Sequence, residues 1–471
     1  MAGRWLDPTS GSCVSQYGTV SRMLLQGPDG GTRVTHHRFM AWAGAALISV
    51  GALLFAGSAT AQVERISLGS DAAQANAASY HAAISDDGQV VAFRSTASNL
   101  IAADTNNWPD IFVRDIAAGS TTRVGFLAGV RYSLYPSISD DGRIVVLLRG
   151  EDGNARVIAH DRTLETDTLL FAGNGNQFFE PAVSGNGQFV AFFSPFPLSN
   201  LNQVETRPLN DDTNNTQDVF VHDRIAAPPV PIERVSRDAA GDQGRGDSLS
   251  PSLSDDGRHV AFYSYADDLV AADNNEYQDV FVKDRQDASI ALASVANDGT
   301  QGNGHSVKPV IAGAGGHVVF RSQASNLVAG DTNKRWDIFV RDLSLGTTER
   351  VSVASDGSQA NHDSFEAGIS DDGRFVVFRS NASNLVANDH NQRFDIFVHD
   401  RSNGQTLRVS VAPSGEADGN SYSPALSGDG HWIVFESDAT NLVADDSNTL
   451  RDVFRVPNPF APGGITGSGA H

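Results

Sequence analysis

The stretch from Arg350 to Asp400 reads RVSVASDGSQANHDSFEAGISDDGRFVVFRSNASNLVANDHNQRFDIFVHD, and it recurs along the chain. Its turn glycine, Gly373, has counterparts at Gly88, Gly142, Gly187, Gly257, Gly315 and Gly430, with successive spacings of 54, 45, 70, 58, 58 and 57 residues. Self-similarity at such a period marks a repeat architecture. Each copy holds four short apolar runs, a to d. In the quoted copy they are predicted near Phe365–Ser370, Phe375–Ser380, Asp395–His399 and Leu407–Val411. A glycine turn joins a to b, where a tight hairpin needs a positive φ. Ser402-Asn403-Gly404 joins c to d, and an Asn/Asp-rich loop joins b to c. Four antiparallel strands per repeat of this length predict one propeller blade.

Two aromatic columns support the blade. Run b carries Phe93, Phe192, Phe262, Phe320, Phe378 and Phe435, with Leu147 in the second copy. Run c carries Phe112, Phe220, Phe281, Phe339, Phe397 and Phe454, with Ile158 in the second copy. A blade buries both faces against its neighbours, so these rings are expected in the core. The chain ends decide the blade number. Glu64-Arg65-Ile66-Ser67 is a d-type run ahead of the first a-b-c set, and the last set, 423–456, has no d run after it. The N-terminal strand would complete the last blade and leave no open seam. The expected fold is all-β: a seven-bladed β-propeller over 62–456, closed by the N-terminal strand, with six blades as the alternative.

Outside the repeats, Met40 to Ala56 is an uncharged apolar run that ends in Ala59-Thr60-Ala61, with Arg33 and Arg38 ahead of it. This is the layout of a cleaved secretory signal, so 1–61 is expected to be removed and the mature chain to be periplasmic or extracellular. The Pro/Gly tail, 457–471, is expected to be disordered. The 471-residue chain carries a net charge of −22; losing 1–61, with its four Arg and two Asp, takes it to −24. Such a chain repels phosphate backbones, which argues against nucleic acid and anionic membranes as partners. The sole cysteine, Cys13, lies in the removed segment, so no internal disulfide is expected. The mature protein is expected to be monomeric, with no stable membrane insertion.

The pattern Ser-Asp-Asp-Gly-Arg, Val-Phe-Arg-Ser, Asp-Ile-Phe-Val resembles the TolB-like β-propeller repeat of exported bacterial proteins. The resemblance covers 64 to 456 and implies the fold and a cell-envelope setting. It departs from TolB itself, which has an α/β domain before a six-bladed propeller and binds a partner lipoprotein. Some TolB-like propellers are metal-dependent polysaccharide lyases, so the resemblance also admits an enzyme.

Three groups of residues are candidates for chemistry. The b–c loops repeat Asp-x-Asn-x-x-x-Asp at Asp104/Asn106/Asp110, Asp212/Asn214/Asp218, Asp273/Asn275/Asp279, Asp331/Asn333/Asp337, Asp389/Asn391/Asp395 and Asp446/Asn448/Asp452. Oxygen ligands two apart suit calcium, although the EF-hand order is absent; Asx turns are the plainer reading. A serine column at the start of run a holds Ser79, Ser133, Ser248, Ser306, Ser364 and Ser421, with Gln177 assigned to the third copy. Ser248 falls in Gly-Asp-Ser-Leu, a hydrolase-like string, but its five siblings and the missing α/β context argue against a nucleophile. His81, His305 and His362 lie near the starts of runs a and could hold a metal. The third copy departs most, with a long b–c loop (195–218) and a Pro-rich c–d turn at 226–231. Near-identical loops and the lack of a unique constellation favour a non-catalytic binding or scaffold propeller. Its ligand, a protein, peptide or glycan, is expected on the b–c/d–a face, with no cofactor beyond calcium. The alternatives are a hydrolase or lyase acting on polysaccharide at the channel mouth, and a calcium-stabilised structural protein.

Overall fold

A computed structural model describes residues 62–462, apart from 103, 128, 152, 174–179, 196–212, 227–231 and 272. The proposed signal segment, most of the tail and much of the third copy's two unusual loops lie outside the described residues. Seven four-stranded antiparallel sheets form the blades. The sixth is representative: a is Ser364–Ile369, b is Phe375–Ser380, c is Asp395–Asp400 and d is Gln405–Arg408. The second blade is complete as well, its strands running from Val130 to Ala172. In the seventh, Ser421–Leu426, Trp432–Ser437 and Asp452–Pro457 are joined by Glu64–Arg65, which pairs with Asp452–Pro457 as strand d.

Strand b sits between a and c, so its phenylalanine is covered on both sides. In six blades the b and c rings stack pairwise at 5.8–6.0 Å, as in Phe93–Phe112 and Phe378–Phe397. Leu147 and Ile158 fill the same space in the second blade, fully buried. Burying one such ring contributes roughly 1.5–3 kcal/mol, so the columns are the main apolar support of each sheet.

The a–b turns close the circle a second time, independently of the strands. Backbone N–H groups of Asp86, Asp140, Asn186, Asp255, Ala314, Asp371 and Asp429 each donate to the carbonyl of the next blade's turn, at 2.9–3.3 Å. The last of these, Asp429 to Asp86, joins blade seven to blade one. Seven links require seven blades, and the ring excludes the six-bladed alternative. Within six of the seven turns a serine holds the shape, with Ala312 in its place in blade five; Ser370 Oγ donates to Asp372, and the Phe375 N–H donates back to Ser370.

Candidate functional site at the channel mouth

The Asp-x-Asn loops are filled from within. Asn391 Nδ2 donates to Asp395 Oδ2 at 3.0 Å while its Oδ1 accepts the Arg393 N–H, and Asn106, Asn275 and Asn333 repeat both contacts. Asn448 does the same more loosely in blade seven. Its Nδ2 donates to the Ala75 carbonyl at 2.8 Å and stands 3.5 Å from Asp452 Oδ2, while its Oδ1 accepts the Leu450 N–H at 2.7 Å. In blade three Asn214 Nδ2 donates to the Gly244 carbonyl and its Oδ1 accepts the Thr216 N–H; Asp212 lies outside the described residues. Each Oδ1 is thus engaged by its own loop, and the amide turns a donor, not an oxygen, toward the second carboxylate. In this arrangement Asn106, Asn275, Asn333, Asn391 and Asn448 act as Asx turns, each Oδ1 accepting a backbone N–H of its own loop.

An arginine from strand d then sits between the two aspartates. Arg123 reaches Asp104 and Asp110, Arg350 reaches Asp331 and Asp337, and Arg408 reaches Asp389 and Asp395. In blade seven the N-terminal strand supplies the equivalent, Arg65, to Asp446 and Asp452. Blade four has Leu292 at the arginine position, and Gln301 Nε2 bridges Asp273 and Asp279 instead, at 2.7 and 2.9 Å. In blades one, five, six and seven the guanidinium thus lies between the two loop aspartates.

The serine column is part of the frame. All six serines are fully buried. Five meet a strand-b serine at 2.8–3.1 Å: Ser79–Ser95, Ser248–Ser264, Ser306–Ser322, Ser364–Ser380 and Ser421–Ser437. Ser248 Oγ thus has no open face for a substrate. Counting nine residues back from the turn glycine places Phe178, not Gln177, in this column; both lie outside the described residues. The three histidines do not converge. His305 Nδ1 accepts the Gln278 N–H, His362 is exposed, and only His81 faces the channel. Among the described residues, no group of three or more His, Cys, Asp or Glu could hold a metal ion.

What faces the channel is a residue two positions beyond the serine, where strand a carries a bulge. Its register slips between Tyr80 and Ala83, and correspondingly in blades two, four, five, six and seven. At the slip His81, Tyr135, Ser250, Lys308, Glu366 and Ser423 adopt φ between 39° and 53°. A bulge re-aims a side chain, and here it turns one residue per blade inward. Glu180 occupies the same distance, seven residues, ahead of its turn glycine. Lys308 Nζ reaches Glu180 Oε2 at 2.8 Å and Ser250 Oγ at 2.9 Å, joining blades three, four and five. A contact between blades three and five, with blade four between them, places this ring on the channel.

This ring is asymmetric, which corrects the expectation that no unique constellation exists. Outside it a second tier is formed by the starts of strands a, by strand b and by the end of each b–c loop. There arginines and aromatic rings alternate through blades five, six, seven and one. Arg321 stands 4.6 Å from the Trp336 ring and 5.5 Å from Phe365. Arg379 lies over Phe365, Phe394 and Tyr422 at 5.1, 4.6 and 5.3 Å. Arg451 stacks on Tyr422 at 3.8 Å and stands 5.4 Å from Tyr80, which Arg94 also meets at 5.4 Å. His81 lies beside Tyr135, ring centroids 5.3 Å apart, and its backbone N–H donates to Glu436. Burial holds the His81 imidazole below its ordinary value, against the pull of Glu436.

At the opposite end of the channel Asp86, Asp140, Asp255 and Asp371 converge. Gly185, Gly313 and Gly428 fill the alternate turn positions, and a Cβ on any of them would overlap a neighbouring aspartate's carboxylate. Burial, and then the neighbouring carboxylates, push Asp140 and Asp255 up to about 6 and Asp371 up to about 7.

No family model matches the sequence, and no curated protein does. Solved structures do. An oligogalacturonate lyase in complex with manganese aligns at 14% identity and a TM-score of 0.52, over 85% of this chain and 94% of that one. The β-propeller domain of the Trilobed protease from Pyrococcus furiosus aligns at 10% identity and a TM-score of 0.50, over 81% and 95%. The likeness is one of fold. TolB from Acinetobacter baumannii also matches, at 15% identity and a TM-score of 0.37, over 58% of this chain; the chain spans 53% of that protein's length.

Proposed function

We propose that this chain is an exported, non-catalytic binding propeller that takes its ligand at the channel mouth on the b–c/d–a face. One observation carries the reading. The frame repeats blade after blade, while variation gathers at inward-facing positions: the bulge residue, the strand-b residue beside it and the residue before strand c. Repeat proteins place recognition where copies diverge on one face. Rings such as Trp336, Phe394 and Tyr422, half-buried beside guanidinium groups, are apolar surfaces with adjacent donors, as a peptide or glycan site requires. Export rests on the signal layout at 33–61.

The test is capture from arrays of peptides and glycans by the purified protein and by two variants. Trp336→Ala/Tyr422→Ala should lose the captured ligands. Leu345→Ala, at an exposed c–d turn on the other face, should keep them. Ligands retained by the mouth variant would refute the reading.

A second reading, a polysaccharide lyase, is favoured by His81 beside Tyr135 with Arg94 nearby. A neutral imidazole, a phenol and a guanidinium are the parts that proton abstraction next to a carboxylate needs. Incubation with polygalacturonate would decide: unsaturated product that disappears in His81→Ala supports the lyase, and no product supports the binder.

A further inference from the structure

Carboxylates outnumber cations in this chain, 56 Asp and Glu against 34 Lys and Arg. In that setting an arginine without an acidic partner is unexpected. On the arc around the mouth, Arg379 meets Glu366 at 3.4 Å, and Arg451 meets Asp438 at 2.8 Å and Glu436 at 3.4 Å. Arg321 and Arg94 differ. Neither makes an ion pair or hydrogen bond with any described residue, and the Nε of each is buried without a partner. Both are half-buried, and burial depresses both guanidinium groups from their ordinary value.

A half-desolvated guanidinium left unpaired is unfavourable, and an incoming anion removes that penalty. The surroundings also leave these two groups ready to act. Arg321 is flanked by Trp336 and Phe365, and Arg94 by Tyr80. A ring against the face of a guanidinium fixes its plane while the N–H edge stays free for a forked contact. The neighbouring Glu180, Glu366 and Glu436 disfavour a doubly charged phosphate more than a singly charged carboxylate.

We infer that Arg321 and Arg94 are receptors for ligand carboxylates, so that the mouth selects an acidic ligand over its neutral counterpart. This rests on the channel-mouth reading above and names its ligand chemistry. The carboxylate could come from a sugar acid or a peptide terminus, and the test separates them.

The experiment measures binding to the intact protein by calorimetry with four probes: a uronate tetrasaccharide, the same sugar after carboxyl reduction, a tetrapeptide with a free C-terminus, and its C-terminal amide. Inorganic sulfate is a fifth. One of the two acids is expected to bind at least about tenfold more tightly than its neutral form, the loss of one charge-assisted contact. Arg321→Gln and Arg94→Gln should each weaken that acid by about tenfold or more. Arg258→Gln, which breaks a pair with Asp284 at the other end of its blade, should not. The two mouth variants should melt at or above the parent temperature without ligand, because each removes an unpaired charge; this shows that they fold. Equal binding of acid and neutral forms, full affinity in both mouth variants, sulfate binding as tightly as the acid, or no binding of either acid at millimolar concentration would each overturn the assignment. Neutral probes that bind and are lost in Trp336→Ala would overturn the carboxylate while leaving the mouth reading standing.

Discussion

The four aspartates at the channel floor should make the protein less stable as pH rises, and Asp371→Asn should reverse much of that. Each carboxylate is harder to ionise in the fold than in the unfolded chain, because burial and its neighbours oppose the charge. The folded state therefore binds protons more tightly. The penalty is absent below about pH 4, where both states are protonated, and grows as pH climbs toward 7. For Asp371, moving from 3.8 to about 7 corresponds formally to about 4 kcal/mol at 1.36 kcal/mol per pH unit. The side chain is partly open to water, and the four groups share their protons, so about 1–2 kcal/mol is the expected net effect. Asparagine keeps the shape and an oxygen to accept the Gly313 N–H, while the turn's backbone links through Asp371 N and O are untouched. Urea melts at pH 5 and pH 8 give the answer. Asp371→Asn should gain about 1–2 kcal/mol at pH 8 and much less at pH 5. A variant less stable than the parent at pH 8, or equally stabilised at both pH values, would refute the reasoning.

Three other outcomes follow from the frame. Arg408→Met should cost roughly 3 kcal/mol in a urea melt, because it strands the buried Asp389 and Asp395 without their cation. Chelator should leave the melting temperature unchanged, since guanidinium groups already lie between the loop aspartates; a large drop would restore the calcium reading. Ser67→Ala should destabilise by about 1–2 kcal/mol, measured by the same melts, because Ser67 Oγ gives the closing strand its bond to buried Asp452.

The frame was legible because it repeats. The glycine register, the phenylalanine columns and the displaced d strand each recur or are conspicuously missing, and each maps to one place in the blade. The Asp-x-Asn loops were visible too, but their partner was not: Arg350 and Arg408 come from strand d, 19 residues beyond Asp331 and Asp389, and only the folded sheet shows that they sit between the carboxylates. The channel ring was hidden for a different reason. Alternation along a strand puts residue i+2 on the same side as residue i, so His81 should share the buried side of Ser79. The bulge breaks that alternation, and one signal for it was in the sequence. Pro136, Pro181, Pro251, Pro309 and Pro424 directly follow the ring residues Tyr135, Glu180, Ser250, Lys308 and Ser423. Proline cannot donate to a ladder and belongs at an edge or a bulge. Five prolines in one column of an apparent strand mark the point where the chain turns a side chain into the channel. The column before them is also among the most varied in otherwise similar repeats. A search for recurring residues passes over such a column, because a site built on a symmetric frame must be made from the residues that do not recur.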